Sequence, residues 1–236
     1  MTSSAKRAVG EVKADFERSA SSYDLRWAHY NLASHQATVR HLNLKGTETV
    51  LDLGCGTGEL ERHTLCRWPD ARVIGVDLCS NMVAAARGKF SPKLSVRFVC
   101  GNGQEIPIRS ESIDLVVSCS AYHFIPDRRG ALRELSRVLV PGGRLVLTDW
   151  CGDYVMCRAM DAWLTATGRA AHAGSLSARE CRDLAREVGF AEQHFEMYRI
   201  GWIWGLMTFV GCKKGVYRAR AAPGPPRENS RGPAPA

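Results

Sequence analysis

The stretch Val50-Leu51-Asp52-Leu53-Gly54-Cys55-Gly56-Thr57-Gly58 constrains this chain more than any other. An apolar run interrupted by one acid reads as a buried strand. Three glycines then alternate with small residues, and Glu59-Leu60-Glu61-Arg62-His63-Thr64-Leu65 reads as the first turns of a helix. The glycines therefore occupy a strand-to-helix turn. Without a Cβ, such backbone turns tightly and leaves bare peptide on which a ligand can lie. The first N–H groups of the following helix favour an anion there. A dinucleotide fingerprint requires G-x-G-x-x-G. Gly54 and Gly56 fit it, but Glu59 stands at the third position and the third glycine comes one residue early, at Gly58. Asp52 sits two residues before the first glycine.

The rest of the chain repeats the strand-then-helix pattern. Residues 1–20 are polar with little periodicity and read as a loose arm or short helix, broken by Tyr23-Asp24-Leu25-Arg26-Trp27. Leu25, Ala28, Leu32, His35, Val39 and Leu42 then recur at three- and four-residue steps, one face of a helix that Lys45-Gly46-Thr47 ends. Further strands are expected at 71–77, 94–100, 112–118 and 144–149. Ser80 is expected to cap the helix after the second strand, and Asp127 the helix before Pro141-Gly142-Gly143, which stops it. After a less regular insert, 151–176, with a helix around 154–167, Ser177-Ala178-Arg179-Glu180 reads as a capping box opening a helix that ends at Gly189. Two strands follow, near 191–199 and 204–212. Trp202 and Trp204 alternate with small residues, as a strand face buried in the core does. Alternating strands and helices imply a parallel sheet covered on both faces, with right-handed crossovers.

Composition narrows the class. A chain of 236 residues, 45% hydrophobic and 24% charged, is enough for one α/β domain with a sizeable core. No run is long and apolar enough to span a membrane, and the N-terminal residues lack a secretory pattern. Nine cysteines without a C-x-x-C pair fit free thiols in a reducing cytoplasm, rather than disulfides or a zinc site. The net charge of +8 sits at the ends. Residues 1–45 carry 7 Lys/Arg against 4 Asp/Glu, residues 213–236 carry 6 against 1, and the stretch between carries 19 of each. A neutral centre argues against nucleic acid as partner.

The pattern D-x-G-x-G-x-G over Asp52–Gly58 resembles the first motif of class I S-adenosylmethionine-dependent methyltransferases. Three later segments match the same family in order. Asp77 closes the second strand, where a ribose-binding acid belongs. Gly101-Asn102-Gly103-Gln104-Glu105-Ile106-Pro107 resembles the family's G-D-A-x-x-L-P segment, with Asn102 in place of the acid that meets the adenine amine and Gly103 in place of the small residue. An amide oxygen accepts the same hydrogen bond. Ile113-Asp114-Leu115-Val116-Val117-Ser118-Cys119 resembles the fourth strand, and Arg137–Leu145 the helix–turn–strand after it. The resemblance, covering roughly residues 45–212, is to the small-molecule branch related to the ubiquinone/menaquinone-biosynthesis methyltransferases. It implies an α/β fold: a doubly wound, mostly parallel seven-stranded sheet with helices on both faces, Rossmann-like, its last strands including an antiparallel insertion. Residues 45–217 would form the S-adenosylmethionine-binding domain, residues 1–44 an arm and helix belonging to a substrate lid, and 218–236 a disordered tail.

The resemblance also implies a set of ligand-binding residues. Asp52, Gly54, Cys55, Gly56, Asp77, Leu78, Met82, Asn102, Gly103 and Ser118 are expected around S-adenosyl-L-methionine, the methyl donor. His123, just past the fourth strand, can take a proton from a hydroxyl or amine nucleophile. Tyr23, with Arg26 and Trp27, is expected to close over the reacting groups, and Asp149, Trp150, Asp153, Tyr154, Trp163 and His172 to flank the acceptor. The expected activity is methyl transfer to a small molecule by a cytoplasmic monomer or homodimer, with no metal. Methylation of RNA or protein, methylation of a metalloid, and a non-catalytic cofactor-binding subunit are the alternatives. No N/D-P-P-Y/F tetrapeptide follows the fourth strand, where the residues are Ser118-Cys119-Ser120-Ala121.

Overall fold

The computed structural model describes residues 3–91, 94–167 and 173–215. His172 and the tail 218–236 lie outside them. Seven strands form a single sheet: β1 (Thr49–Leu53), β2 (Arg72–Asp77), β3 (Val96–Cys100), β4 (Ile113–Cys119), β5 (Leu139–Trp150), β6 (Phe190–Ile200) and β7 (Trp204–Lys213). Their order is β3-β2-β1-β4-β5-β7-β6, parallel except for β7, which runs antiparallel between β5 and β6. The hairpin forces that arrangement. Gly201, at φ +60, turns β6 into β7, and β7 then pairs with both neighbours. The chain reverses at β1 between β2 and β4, the switch point at which open α/β sheets bind ligands beyond the strand ends.

Two cores cover the two faces. On one, α5 (Arg128–Val138) and α7 (Ala178–Val188) bury Leu132, Leu135, Cys181 and Ala185 against Leu51, Val116 and Leu145. On the other, α2 (Tyr23–Val39) and α3 (Glu59–Arg67) bring Val39, Leu60 and Leu65 against Val50, Leu115, Val117 and Val146. Alternate residues of β4 and β5 thus serve opposite cores, and all of β4 is buried. The expected capping box is present: Ser177 Oγ accepts from Glu180 N–H, Glu180 answers with Ser177 N–H, and Gly189 ends the helix at φ +99. Asp127 caps α5 by accepting from Gly130 N–H at 2.8 Å.

Four local expectations are corrected. Residues 3–19 form a full helix, α1 (Ser3–Ser19). Val9, Val12 and Phe16 make a narrow apolar stripe that faces a cleft, not the main core. Ser80 is the first residue of α4 (Ser80–Lys89) and caps nothing; its hydroxyl instead donates to Glu17 on α1 at 3.0 Å. Pro141-Gly142-Gly143 does not stop the helix, because α5 ends at Val138 and β5 already begins at Leu139. The Pro-Gly pair is a register shift inside β5, with Gly142 at φ +75. Trp202 is 74% exposed in the β6–β7 turn, while Trp204 packs inward on Trp150. No helix among the described residues is long and apolar enough to cross a membrane.

Candidate active site

A cleft of about 830 Å³, counted out to its mouth, opens where the parallel strands end. Its floor is the glycine turn. Gly54, Gly56 and Gly58 all have positive φ, +81, +52 and +86. Gly54 and Cys55 donate their N–H groups to Val76 carbonyl oxygen at 2.8 and 3.2 Å, which fixes the turn against β2. A Cβ added at Gly54 would fall 2.2 Å from Ala121 Cβ, whereas one at Gly56 would meet nothing. Gly54 thus permits a close approach of two loops, and Gly56 keeps the floor bare.

Asp77 stands at the end of β2 with both oxygens engaged, accepting from Gly56 N–H at 2.9 Å and Cys79 N–H at 2.8 Å. Each oxygen keeps a second lone pair for a ligand hydroxyl. Burial raises its carboxyl pKa, while those two N–H groups oppose the rise. Leu78 and Met82 supply an apolar side, and Gly101, Asn102, Gly103 and Gln104 the next wall. Asn102 Oδ1 accepts from Gln104 N–H at 3.0 Å, a turn that stiffens this loop.

The roof comes from the N-terminal helices. Val9, Val12 and Phe16 of α1 and Tyr23 of α2 line the cleft from above. Phe16 packs edge-on against Phe124 at 5.0 Å and against Tyr23 at 6.1 Å. Glu17 carbonyl oxygen accepts from Asn81 Nδ2 at 3.1 Å, so α1 docks on the start of α4. Asp24 accepts from Thr57 Oγ1 in the glycine turn and from Lys89 Nζ, which pins α2 to the floor. Burial, then the charge of Asp77, raises the Tyr23 phenol well above its ordinary 10. Tyr23 therefore stays protonated at neutral pH.

Several expected site residues stand outside the cleft wall. Ser118 is fully buried inside β4 and donates to Leu53 carbonyl oxygen at 2.8 Å. The serine that lines the cleft is Ser120, two residues on, at φ +56. Its hydroxyl lies 2.6 Å from Tyr30 Oη, and Tyr30 accepts from Trp150 Nε1 at 2.9 Å. Burial raises the Tyr30 pKa and keeps it neutral, and it shares with Ser120 a hydrogen bond that either hydroxyl can donate. Cys55 turns its side chain into the small core of Val83, Ala86 and Phe98. His123 is buried between Phe124 (4.0 Å) and Trp150 (4.5 Å, stacked). Asp149 grips it twice, accepting its backbone N–H at 2.8 Å and meeting Nδ1 at 2.5 Å. Asp149 and Trp150 thus sit behind the wall next to His123, whereas Asp153 accepts from Ala178 N–H, at the first residue of α7, at 2.9 Å. Trp163, on α6 (Val155–Ala166), is half exposed.

Asp52 is 2% exposed and also lies beneath the floor. It pairs in register with Gly75 on β2, and Glu61 Oε1 occupies the space that a Cβ on Gly75 would need, at 2.6 Å. The result is a buried, interacting pair of carboxyl groups, Asp52 and Glu61, in which a protonated member can donate to the other. Burial, then the charge of Asp77, pushes Asp52 up to about 8; burial and Asp52 raise Glu61 well above the carboxylate range. The folded pair therefore binds protons that the unfolded chain releases near pH 4. Stability is full below that pH and falls as pH rises through about 8. Thermal melts from pH 5 to 8.5 should show a falling melting temperature. Glu61→Leu should flatten that dependence, because it removes one of the two carboxyl groups that bind the extra protons. An unchanged slope would show that Glu61 takes no part in it.

Three comparisons bear on this geometry. Residues 51–147 match the family described as "Methyltransferase domain". The ubiquinone/menaquinone biosynthesis C-methyltransferase UbiE of Syntrophotalea carbinolica is 34% identical over 140 residues, 57% of this chain and 59% of that protein. The malonyl-[acyl-carrier protein] O-methyltransferase of Salmonella typhimurium is 31% identical over 208 residues, 87% of this chain and 78% of that one. The match reaches 49% of the length of the corresponding Acetivibrio thermocellus enzyme, so the chain spans about half of some curated relatives. Among solved structures, the methyltransferase in complex with the Trm112 methyltransferase activator of Haloferax volcanii has a TM-score of 0.74 at 20% identity, over 84% of this chain and 97% of that one.

Proposed function

This chain belongs to the class I S-adenosylmethionine-dependent methyltransferases, and on that premise we propose that it transfers a methyl group from S-adenosylmethionine to a small-molecule acceptor. The cleft carries the reading: bare glycine backbone, an acid at the end of β2 and an apolar side meet in one volume beneath a helical roof. When bound, S-adenosylmethionine supplies an electrophilic sulfonium methyl. The Asp77 oxygens would take the ribose hydroxyls, Asn102 Oδ1 the adenine amine, and Leu78 and Met82 the faces of the base. Gly54 and Gly56 would lie under the amino-acid portion, with the Ser120 hydroxyl as a further donor. The roof of α1 covers one side of the cleft, and holding two reactants aligned is worth roughly 7–11 kcal/mol of the barrier.

His123 is the proposed base for an acceptor that must lose a proton. With Nδ1 donating to Asp149, the basic lone pair is on Nε2, and the Asp149 carboxylate stabilises the imidazolium that forms. His123 stands one layer behind Phe124, the same side chain on which Phe16 of the roof rests. Opening the roof and reaching the base therefore involve one contact.

The names of the relatives point to two acceptor chemistries, a quinone ring carbon and a carboxylate oxygen. The Asp149–His123 pair favours the first type, because a carboxylate is already deprotonated at neutral pH. The cover provided by α1 favours small molecules over RNA or folded protein, which would reach the floor only by displacing it. A panel of hydroxylated aromatics, malonyl thioesters, amines, tRNA and histones, scored by S-adenosylhomocysteine release, tests this. Turnover is expected with a small hydroxylated or carbon acceptor. Release with tRNA or protein alone would contradict it.

A further inference from the structure

Away from the cleft, the chain just past α2 meets the outer strand β6 at His41, His194 and Glu196. His41 Nε2 lies 2.9 Å from Glu196 Oε1, and His194 Nε2 lies 3.8 Å from Glu196 Oε2. One donor atom from each residue falls within 4.8 Å of the others. The two imidazoles stack at 5.0 Å with 26° between their planes. The backbone creates this meeting. His194 and Glu196 are two residues apart and so share a face, while Phe195 between them turns to the core. A bulge between Glu192 and His194 sets which residues face α2.

We propose that His41, His194 and Glu196 bind a divalent ion of the zinc class and thereby tie α2 to β6. Two imidazoles and a carboxylate are a borderline donor set that suits zinc, copper or nickel and disfavours magnesium. With bonds of about 2.0–2.2 Å, tetrahedral donors stand roughly 3.4 Å apart; the two imidazoles here meet different oxygens of Glu196, at 2.9 and 3.8 Å, so a small turn of the carboxylate is needed to present one oxygen to the ion. All three side chains are part-exposed, at 15% for His41, 50% for His194 and 29% for Glu196, so an ion enters without unfolding and solvent can complete the shell. Arg40 competes for the same carboxylate through Nη2, 2.9 Å from Glu196 Oε1. Such a part-exposed ion pair holds weakly, and the Tyr198 ring, 5.6 Å from the guanidinium, offers it another place. The other end of the tethered helix carries Tyr23, which lines the cleft, and Asp24, which holds the glycine turn, so occupancy would stiffen part of the roof.

The test is Co²⁺ and Zn²⁺ titration of the full chain after chelator treatment, with Mg²⁺ as control. One ion per chain should bind, with a Co²⁺ spectrum of nitrogen and oxygen ligation. His194→Gln and His41→Ala should each weaken binding by about tenfold or more, the scale at which even outer-shell contacts matter. Arg40→Ala should bind at least as tightly as the parent, because it removes the competitor, a response that general damage to this surface would not give. His194 is half exposed, so His194→Gln keeps its fold and carries the test even if His41→Ala does not. A sulfur-to-cobalt charge-transfer band would assign the ion to cysteines and overturn the proposal. Unchanged affinity in His194→Gln, or weaker binding in Arg40→Ala, would overturn it as well.

Discussion

His123→Asn is expected to slow turnover by about 10²–10⁴-fold, the usual worth of a general base, while leaving S-adenosylhomocysteine affinity at the wild-type level. The expectation follows from how the ring is held. Asp149 accepts both the backbone N–H and Nδ1 of His123, and Trp150 stacks on one face of the ring. A ring fixed so firmly has little freedom to be misplaced. Asp149→Asn should lower turnover in the same direction, because an amide at that place can impose the wrong tautomer. Wild-type turnover in a folded His123→Asn would make the residue a wall and leave the chemistry to positioning alone.

The second large effect is expected at the floor. Gly54→Ala should cost about 1–2 kcal/mol for a side chain in a left-handed conformation and about 1–3 kcal/mol for overpacking, because its Cβ would fall 2.2 Å from Ala121 Cβ. The melting temperature should drop by roughly 5–20 °C. Cofactor affinity should fall with it, since Ala121 belongs to the cleft wall. Gly56→Ala makes the contrast. Its Cβ meets no protein atom, so it should lose only the conformational part of the stability yet still lose cofactor affinity. Calorimetric melts and ligand titration of both variants check this. Equal stability in the two would mean that the Gly54–Ala121 approach does not constrain the fold.

The sheet was legible because its signals are local. Apolar runs of five to seven residues ending in Asp or in glycine mark buried parallel strands, and the Ser177–Glu180 box with Gly189 marks both ends of α7. The floor was legible because glycine is required where φ is positive. What escaped depends on distant partners. The stripe of Val9, Val12 and Phe16 is too narrow to read as a core helix, and it acquires meaning only from the cleft it roofs. Period-two alternation does not say which serine after β4 reaches the cleft; the left-handed turn at Ser120 decides it, leaving Ser118 in the strand. Nothing in the pattern of α3 distinguishes buried Glu61 from a solvated acid, since the space it fills is made by Gly75 on a different strand. The tie between Asp149 and His123 joins residues 26 apart in sequence that the parallel pairing of β4 with β5 brings together.

Titration of the protein with S-adenosylhomocysteine and with NAD, for the wild type and Asp77→Ala, tests the central claim most directly. One Asp77 oxygen meets the glycine turn at Gly56 and the other meets Cys79, and both retain lone pairs for ribose hydroxyls; hydrogen bonds to a charged group are worth about 1.5–3 kcal/mol each. The account predicts one S-adenosylhomocysteine per chain, no NAD binding, and an affinity for S-adenosylhomocysteine at least about tenfold lower in a folded Asp77→Ala. NAD binding without S-adenosylhomocysteine binding, or unchanged affinity in the variant, would contradict it.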